Sequence, residues 1–227
     1  MTTELAQERE RTRSVLGSLR LPRFLDRGRQ TPRVIAVEGP NGAGKTTLCR
    51  ALAETLRAPY CLGTDAAWFS PALKTRMIRE AEWFASAMFF FSGCFEQMRV
   101  LRNRSEPLMI MDRSLWSTLA VHGAEKAERL EVVLAMLRPI AAEIQVPDFT
   151  VVLDASFASC QARIAKKEGL DRALDQLTAT EGFHAREQEF YRWLGRERPE
   201  LAFLGVDEAE PHEVLERALD WIRELVP

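Results

Sequence analysis

An open α/β sheet of mostly parallel strands, covered by helices on both faces, is the fold class the sequence predicts. Three observations predict it. Short apolar runs rich in β-branched residues alternate with longer segments of helical period. The runs are continuous rather than alternating, as strands buried on both faces require. The first of them ends in a glycine-rich string, Gly39-Pro40-Asn41-Gly42-Ala43-Gly44-Lys45-Thr46, that opens a helix. With 46% hydrophobic and 28% charged residues in 227, the chain has a core to bury, which excludes disordered, collagen-like and coiled-coil classes.

Residues 1–30 are rich in Arg and Glu, with Val15, Leu16 and Leu19 at helical spacing. They read as a surface helix followed by a linker from Pro22 to Pro32. The expectation is a solvated N-terminal extension over residues 1–32, with partner docking or a lid as the alternative. The folded domain then runs over 33–227. Val34 to Val37 is the first strand, and Thr46 to Leu56 follows as a helix through Leu48, Ala51, Leu52 and Leu56. Tyr60 to Leu62 is a weak second strand. Pro71 to Arg104 reads as one long helix, with Pro71 suited to its first turn. Leu108 to Met111 is a strand stopped by Asp112, and helical patterns continue through Glu143. Phe149 to Leu153 is a fourth strand and Phe157 to Lys167 a helix. Leu174 to Arg196 is helical with a break near Thr180–Gly182, Leu201 to Val206 a fifth strand, and Pro211 to Leu225 an amphipathic closing helix.

The net charge of −2, from 31 basic and 33 acidic residues, gives no global field for nucleic acid or an anionic membrane. Neither is expected as a partner. Cys49, Cys61, Cys94 and Cys160 form no C-x-x-C pair and read as buried free thiols in a reducing compartment. Three scattered histidines make a zinc site a poor expectation. The longest apolar stretch, Trp83 to Phe95, is shorter than the roughly 20 residues a membrane span needs. The N-terminus has no secretory h-region. A soluble, cytoplasmic protein is expected.

The string from Gly39 to Thr46 fits G-x-x-x-x-G-K-[ST] in full, with a strand before it and a helix after it. Such a P-loop turns its backbone N–H groups onto phosphate oxygens at a helix N-terminus. Gly39, Asn41, Gly42, Ala43, Gly44, Lys45, Thr46 and Thr47 are therefore read as the nucleotide site. Lys45 is to reach the β- and γ-phosphates, and the Thr46 hydroxyl to ligate Mg2+. ATP with Mg2+ is the expected cofactor pair. A transporter-type ATPase is excluded by the lack of an LSGGQ-like segment and by a third strand that ends Asp112-Arg113, not Asp-Glu.

Later segments add a resemblance. Asp112-Arg113-Ser114-Leu115-Trp116-Ser117-Thr118-Leu119-Ala120-Val121-His122-Gly123 resembles the D-R-Y-x-x-S-x-x-A-Y-Q-G segment of thymidylate kinases. Pro147-Asp148 through Leu153-Asp154 resembles their P-D-x-x-x-x-L-D strand. Ala162 to Arg172 is similar to their basic lid, here about residues 160–182, and Phe183 and Tyr191 fit the helix that follows it. From 33 to 225 the chain thus resembles the thymidylate kinase-like branch of P-loop nucleoside monophosphate kinases, to which deoxynucleoside kinases are related. The resemblance implies a five-stranded parallel sheet in the order 2-3-1-4-5, with the phosphates at the end of the first strand. It also implies a homodimer and Mg-ATP-dependent phosphoryl transfer to a nucleoside monophosphate. Asp112 would hold Mg2+ through water, and Arg113 would grip the acceptor phosphate, for which a planar fork suits better than Lys. A structural ion pair of Arg113 with Asp112 or Glu38 is the alternative. The lid would supply the transition-state cation, with Arg163 and Arg172 ahead of Lys166 and Lys167. Ser117, Thr118, Val121 and His122 would line the acceptor.

The chain departs from that pattern on the acceptor side. Asn41 replaces an Asp of the P-loop, and the segment R-E-P-G-G after the second strand is missing. Phe91 to Gln97 stands where the long helix carries a D-R pair. Ser114, Val121 and His122 replace Tyr, Tyr and Gln, and the loss of the second Tyr is expected to flatten discrimination at the sugar 2′ position. Phe89, Phe90, Phe91 and Phe95 read as core or dimer contact rather than a base platform. Asp65 and Trp68 resemble the carboxylate base and tryptophan that deoxynucleoside kinases place after their second strand. A nucleoside acceptor, which needs such a base, is therefore the alternative. A non-catalytic nucleotide-binding switch is the third reading.

Overall fold

A computed structural model describes residues 3–17, 21–24, 33–64, 69–123, 126–167 and 180–225. Five strands form one parallel sheet: β1 (Arg33–Glu38), β2 (Tyr60–Leu62), β3 (Leu108–Asp112), β4 (Phe149–Asp154) and β5 (Leu201–Gly205). Their order is β2-β3-β1-β4-β5, as the resemblance implied. Strand β1 is hydrogen-bonded on both sides, pairing Ile35 with Ile110 and with Phe149. Its burial on both faces explains the uninterrupted Val-Ile-Ala-Val run.

The helices are α1 (Thr3–Gly17), α2 (Lys45–Leu56), α3 (Pro71–Arg79), α4 (Trp83–Arg102), α5 (Leu115–His122), α6 (Ala127–Leu137), α7 (Phe157–Ala165), α8 (Glu181–Glu197) and α9 (Pro211–Leu225). On one face of the sheet, Leu48, Cys49 and Leu52 of α2 and Val214, Ala218 and Ile222 of α9 cover Ile35, Val37 and Val151. On the other, α4, α5, α6 and α8 pack Phe91, Trp116, Leu134 and Tyr191 over Val34, Ala36 and Met111.

Two expectations are corrected. The segment Pro71 to Arg104 is two helices, not one. No residue of α3 is buried, whereas α4 buries Ala87, Phe91, Cys94 and Leu101, so packing demands different directions and the chain breaks at residues 80–82. The described N-terminal residues, 3–17 and 21–24, do not stand off as a solvated appendage. Helix α1 lies on α6 and α8. Arg11 pairs with Glu131, Arg9 with Glu189 at 3.2 Å, and Glu8 accepts from the Ala127 N–H. Its charges looked solvated because their partners are more than a hundred residues away. Leu21 and Phe24 belong to the core, and the Phe24 and Val146 backbones bridge as Phe24 N–H to Val146 O at 3.2 Å. The rest of the expected linker, residues 25–32, lies outside the described residues. Phe24→Ala is expected to cost about 3–5 kcal/mol in chemical denaturation. A solvated linker residue would cost under about 0.5 kcal/mol.

Among the described residues no helix is long and apolar enough to cross a membrane. Cys49, Cys94 and Cys160 are buried free thiols, and Cys61 is half-buried. Burial pushes the Cys94 and Cys61 thiols up to about 12.

Candidate active site

The carboxyl ends of β1 and β3 meet beneath the P-loop. Gly42 takes φ 85°, and a Cβ there would lie 2.5 Å from the Cys160 carbonyl of α7, so only glycine lets the loop lie this close. Gly44 caps α2 with φ 102°, and no side chain accepts from the first turn. The opening N–H groups, with Thr46 and Thr47 exposed beside them, are left for an anion. Lys45 is 6% exposed and donates to the carbonyls of Gly39 (2.8 Å) and Pro40 (2.7 Å). Burial, aided by the Arg113 charge, lowers its ammonium to about 8, against the pull of Glu187, Asp112 and Glu38. The unliganded lysine thus loses its proton above about pH 8, while a bound triphosphate holds the proton on. ATP affinity is expected to fall about tenfold between pH 7 and pH 9, measured by calorimetry.

At the end of β3, Asp112 Oδ2 accepts from the Thr46 hydroxyl at 2.5 Å and from the Tyr60 hydroxyl at 3.2 Å. A hydroxyl and a carboxylate in contact below the phosphate cradle are the hard oxygen donors that suit Mg2+. Arg113 turns out of the strand with φ 68°, unusual for a side chain this large. Its N–H donates to Val37 O at 3.0 Å. The turn aims its guanidinium at the P-loop, where it donates to Asn41 Oδ1 and, at 3.1 Å, to Ser117 Oγ. Gly63 fits under this turn: its N–H donates to Asp112 O at 2.9 Å, and a Cβ would stand 2.3 Å from the Arg113 carbonyl. Gly63→Ala is expected to cost about 1–3 kcal/mol in stability and to lower catalysis by displacing Arg113. Paired thermal melts and kcat/KM measure both.

Glu38, fully buried at the end of β1, gathers the neighbouring elements. It accepts from Ser114 (2.6 Å) and Ser117 of α5, and from Tyr191 of α8 (2.9 Å). Burial pushes its carboxyl up, while those three hydroxyls and the Arg113 charge oppose the shift. Arg113 therefore reaches Glu38 through Ser117. Glu187, one turn before Tyr191 on the inward face of α8, is 3% exposed. Burial disfavours the Arg113 charge, but Glu187, Tyr191, Glu38 and Asp112 outweigh it and hold the guanidinium above its ordinary value.

Other expected residues fall elsewhere. Arg163 donates to the carbonyls of Ala43 (3.5 Å) and Val206 (2.6 Å), which ties α7 to the P-loop and to the end of β5. Lys166 and Lys167 are exposed. Thr118 turns away from Arg113 and meets Cys94 Sγ at 3.5 Å. Val121 is half-buried, and Trp116 is buried in the core under Arg198. His122 stacks on Phe90 at 5.4 Å, with burial and Arg129 lowering it to about 4. Phe89 and Phe90 pack with Phe69, and Phe91 stacks on Phe95 in the core. Asp65, Trp68 and Arg172, with most of the expected lid, lie outside the described residues.

The profile of the deoxynucleoside kinase family matches residues 35–208. The chain belongs to the deoxynucleoside kinase family. Solved structures agree on the fold. A thymidylate kinase from Candida albicans is 20% identical, with a TM-score of 0.67 over 86% of this chain and 92% of that one. A deoxyadenosine kinase from M. mycoides with bound dATP is 15% identical, with a TM-score of 0.63 over 84% and 99%. A thymidylate kinase from Ehrlichia chaffeensis is 16% identical, with a TM-score of 0.58 over 85% and 99%. No curated protein matches the sequence. The chain is thus a nucleoside or nucleotide kinase built on a P-loop. Sequence reasoning missed three of its site residues. Tyr60 was read only as strand; the register pairs it with Ile110, and only its long side chain brings the hydroxyl to Asp112. Gln188 Nε2 donates to Asp154 Oδ1 at 2.8 Å. Glu187 could have been found from its place four residues before Tyr191, the spacing of one helix face.

Proposed function

We propose that the protein transfers the γ-phosphoryl group of ATP to a hydroxyl of a nucleoside. The observation that carries the reading is the charge balance around Lys45 and Arg113. Three buried carboxylates, Glu38, Asp112 and Glu187, surround two inward-facing cations, Lys45 and Arg113. A monophosphate acceptor would bring about two further negative charges to this surrounding, whereas a hydroxyl brings none. The family match supports the same choice over the monophosphate that the sequence put first.

The chain's own groups divide the work. The P-loop N–H groups and Lys45 hold the β- and γ-phosphates. Thr46 and Asp112 would hold Mg2+, which neutralises phosphate charge when bound. Arg113, anchored by Asn41 and Ser117, orients the transferring group. The acceptor oxygen bonds to the γ-phosphorus as the bridge to the β-phosphate breaks, and the hydroxyl proton passes to a carboxylate base. Asp65 is proposed for that base from its resemblance. ADP and a nucleoside monophosphate leave. A panel of nucleosides and their 5′-monophosphates, scored by acceptor-dependent ADP release, tests the reading. Preferred turnover of a nucleoside, lost in Asp65→Asn, is expected. Preferred turnover of monophosphates with Asp65→Asn silent overturns it.

A further inference from the structure

Glu187 has no part in the phosphate cradle, yet α8 delivers it there. The buried residues of α8, His184, Glu187, Phe190, Tyr191 and Leu194, form one stripe at helical spacing. Tyr191 fixes the rotation of that stripe by donating to Glu38 Oε2 at 2.9 Å, at the foot of the P-loop. Gln188 fixes it again on Asp154 and on the Ala155 carbonyl at 2.7 Å. Glu187 precedes both anchors, adjacent to Gln188 and one turn before Tyr191, so it cannot swing outward without disturbing them. Its charge favours the ionised forms of both Lys45 and Arg113. A buried carboxylate facing two phosphate-gripping cations weakens the site for anions, which makes no sense as a donor contact. It does make sense beside an acceptor that must be neutral on entry and anionic on exit.

Resting on the nucleoside-kinase reading, we propose that Glu187 is the residue by which this site discriminates against acceptors that already carry a phosphate. The same charge favours departure of the monophosphate product. A like-charge pair a few ångströms apart, at an effective dielectric of about 20, discriminates on the order of a hundredfold. A role as a mere counter-ion for Lys45 and Arg113 would loosen nucleoside and monophosphate binding together. The ratio of the two affinities separates the roles.

The test uses the full chain saturated with Mg-ADP, so that the P-loop is filled. A nucleoside and its 5′-monophosphate are titrated calorimetrically into wild type, Glu187→Gln and Glu187→Asp. The monophosphate-to-nucleoside affinity ratio is expected to rise on the order of a hundredfold in Glu187→Gln. In Glu187→Asp, which keeps the charge, it should stay within about threefold of wild type. A ratio in Glu187→Gln within about threefold of wild type, while wild type still phosphorylates nucleosides, overturns the role of Glu187 alone. If Glu187→Gln shows no cooperative melt, Glu187→Ala removes the same charge and is held to the same ratio. A wild type that prefers monophosphates as acceptors overturns the nucleoside reading and this proposal with it.

Discussion

Lys45→Met is expected to lower kcat/KM for phosphoryl transfer by about 10³-fold or more, with no loss of melting temperature. The first half follows from phosphoryl transfer being a matter of position and charge: removing one preorganised donor to developing charge costs about 10²–10³-fold. Lys45 is a full charge at the head of α2, not one amide, so the upper end applies. The second half follows from burial. The unliganded ammonium is 6% exposed, and burial draws it down to about 8, so the fold holds that charge against its preference. Methionine fills the same channel without the charge. Coupled ADP-release kinetics and a thermal melt check both halves. Near-wild-type turnover would remove the P-loop assignment altogether.

Arg113→Ala should cost about 2–5 kcal/mol of transition-state stabilisation, read as the fall in kcat/KM. The guanidinium is held by Asn41 Oδ1 and Ser117 Oγ, and Ser117 is in turn held by Glu38. Its direction is therefore fixed before any substrate arrives, and preorganisation of this kind is lost entirely with the side chain. Arg113→Lys should recover little, because an ammonium cannot engage both anchors and a phosphate as a fork does. Substituting Asn41 by Ala should give a smaller loss, since Ser117 still holds one arm. An Arg113→Lys enzyme with full kcat/KM would reduce the residue to a point charge.

Much of this frame was legible in the sequence. The three residues of β2 and the whole of α9 fell where their patterns put them, because each signal is local. The P-loop was legible for the same reason: strand, turn and helix are contiguous. What depends on distant residues was not. The break after Arg79 carries no Gly or Pro and follows from what α4 buries. The charges of α1 find their partners on α6 and α8. Glu38 was weighed only as an ion-pair partner, and its three hydroxyl donors come from residues 76 to 153 positions away. The direction of Arg163 was not legible either, since a basic helix end has no period that says where it points; it donates to backbone carbonyls.

The bridge between residues 21–24 and the strand edge has a consequence for how the chain is made. Pro22 O accepts from Val146 N–H at 3.0 Å, and Leu21 O accepts from Arg198 at 3.4 Å. A ribosome delivers residue 22 long before it delivers residue 198. Leu21 and Phe24, which end in the core, therefore stay uncovered until residues more than a hundred positions downstream have been made. The nascent chain has to keep two apolar side chains soluble until residues as far downstream as Val146 and Arg198 emerge.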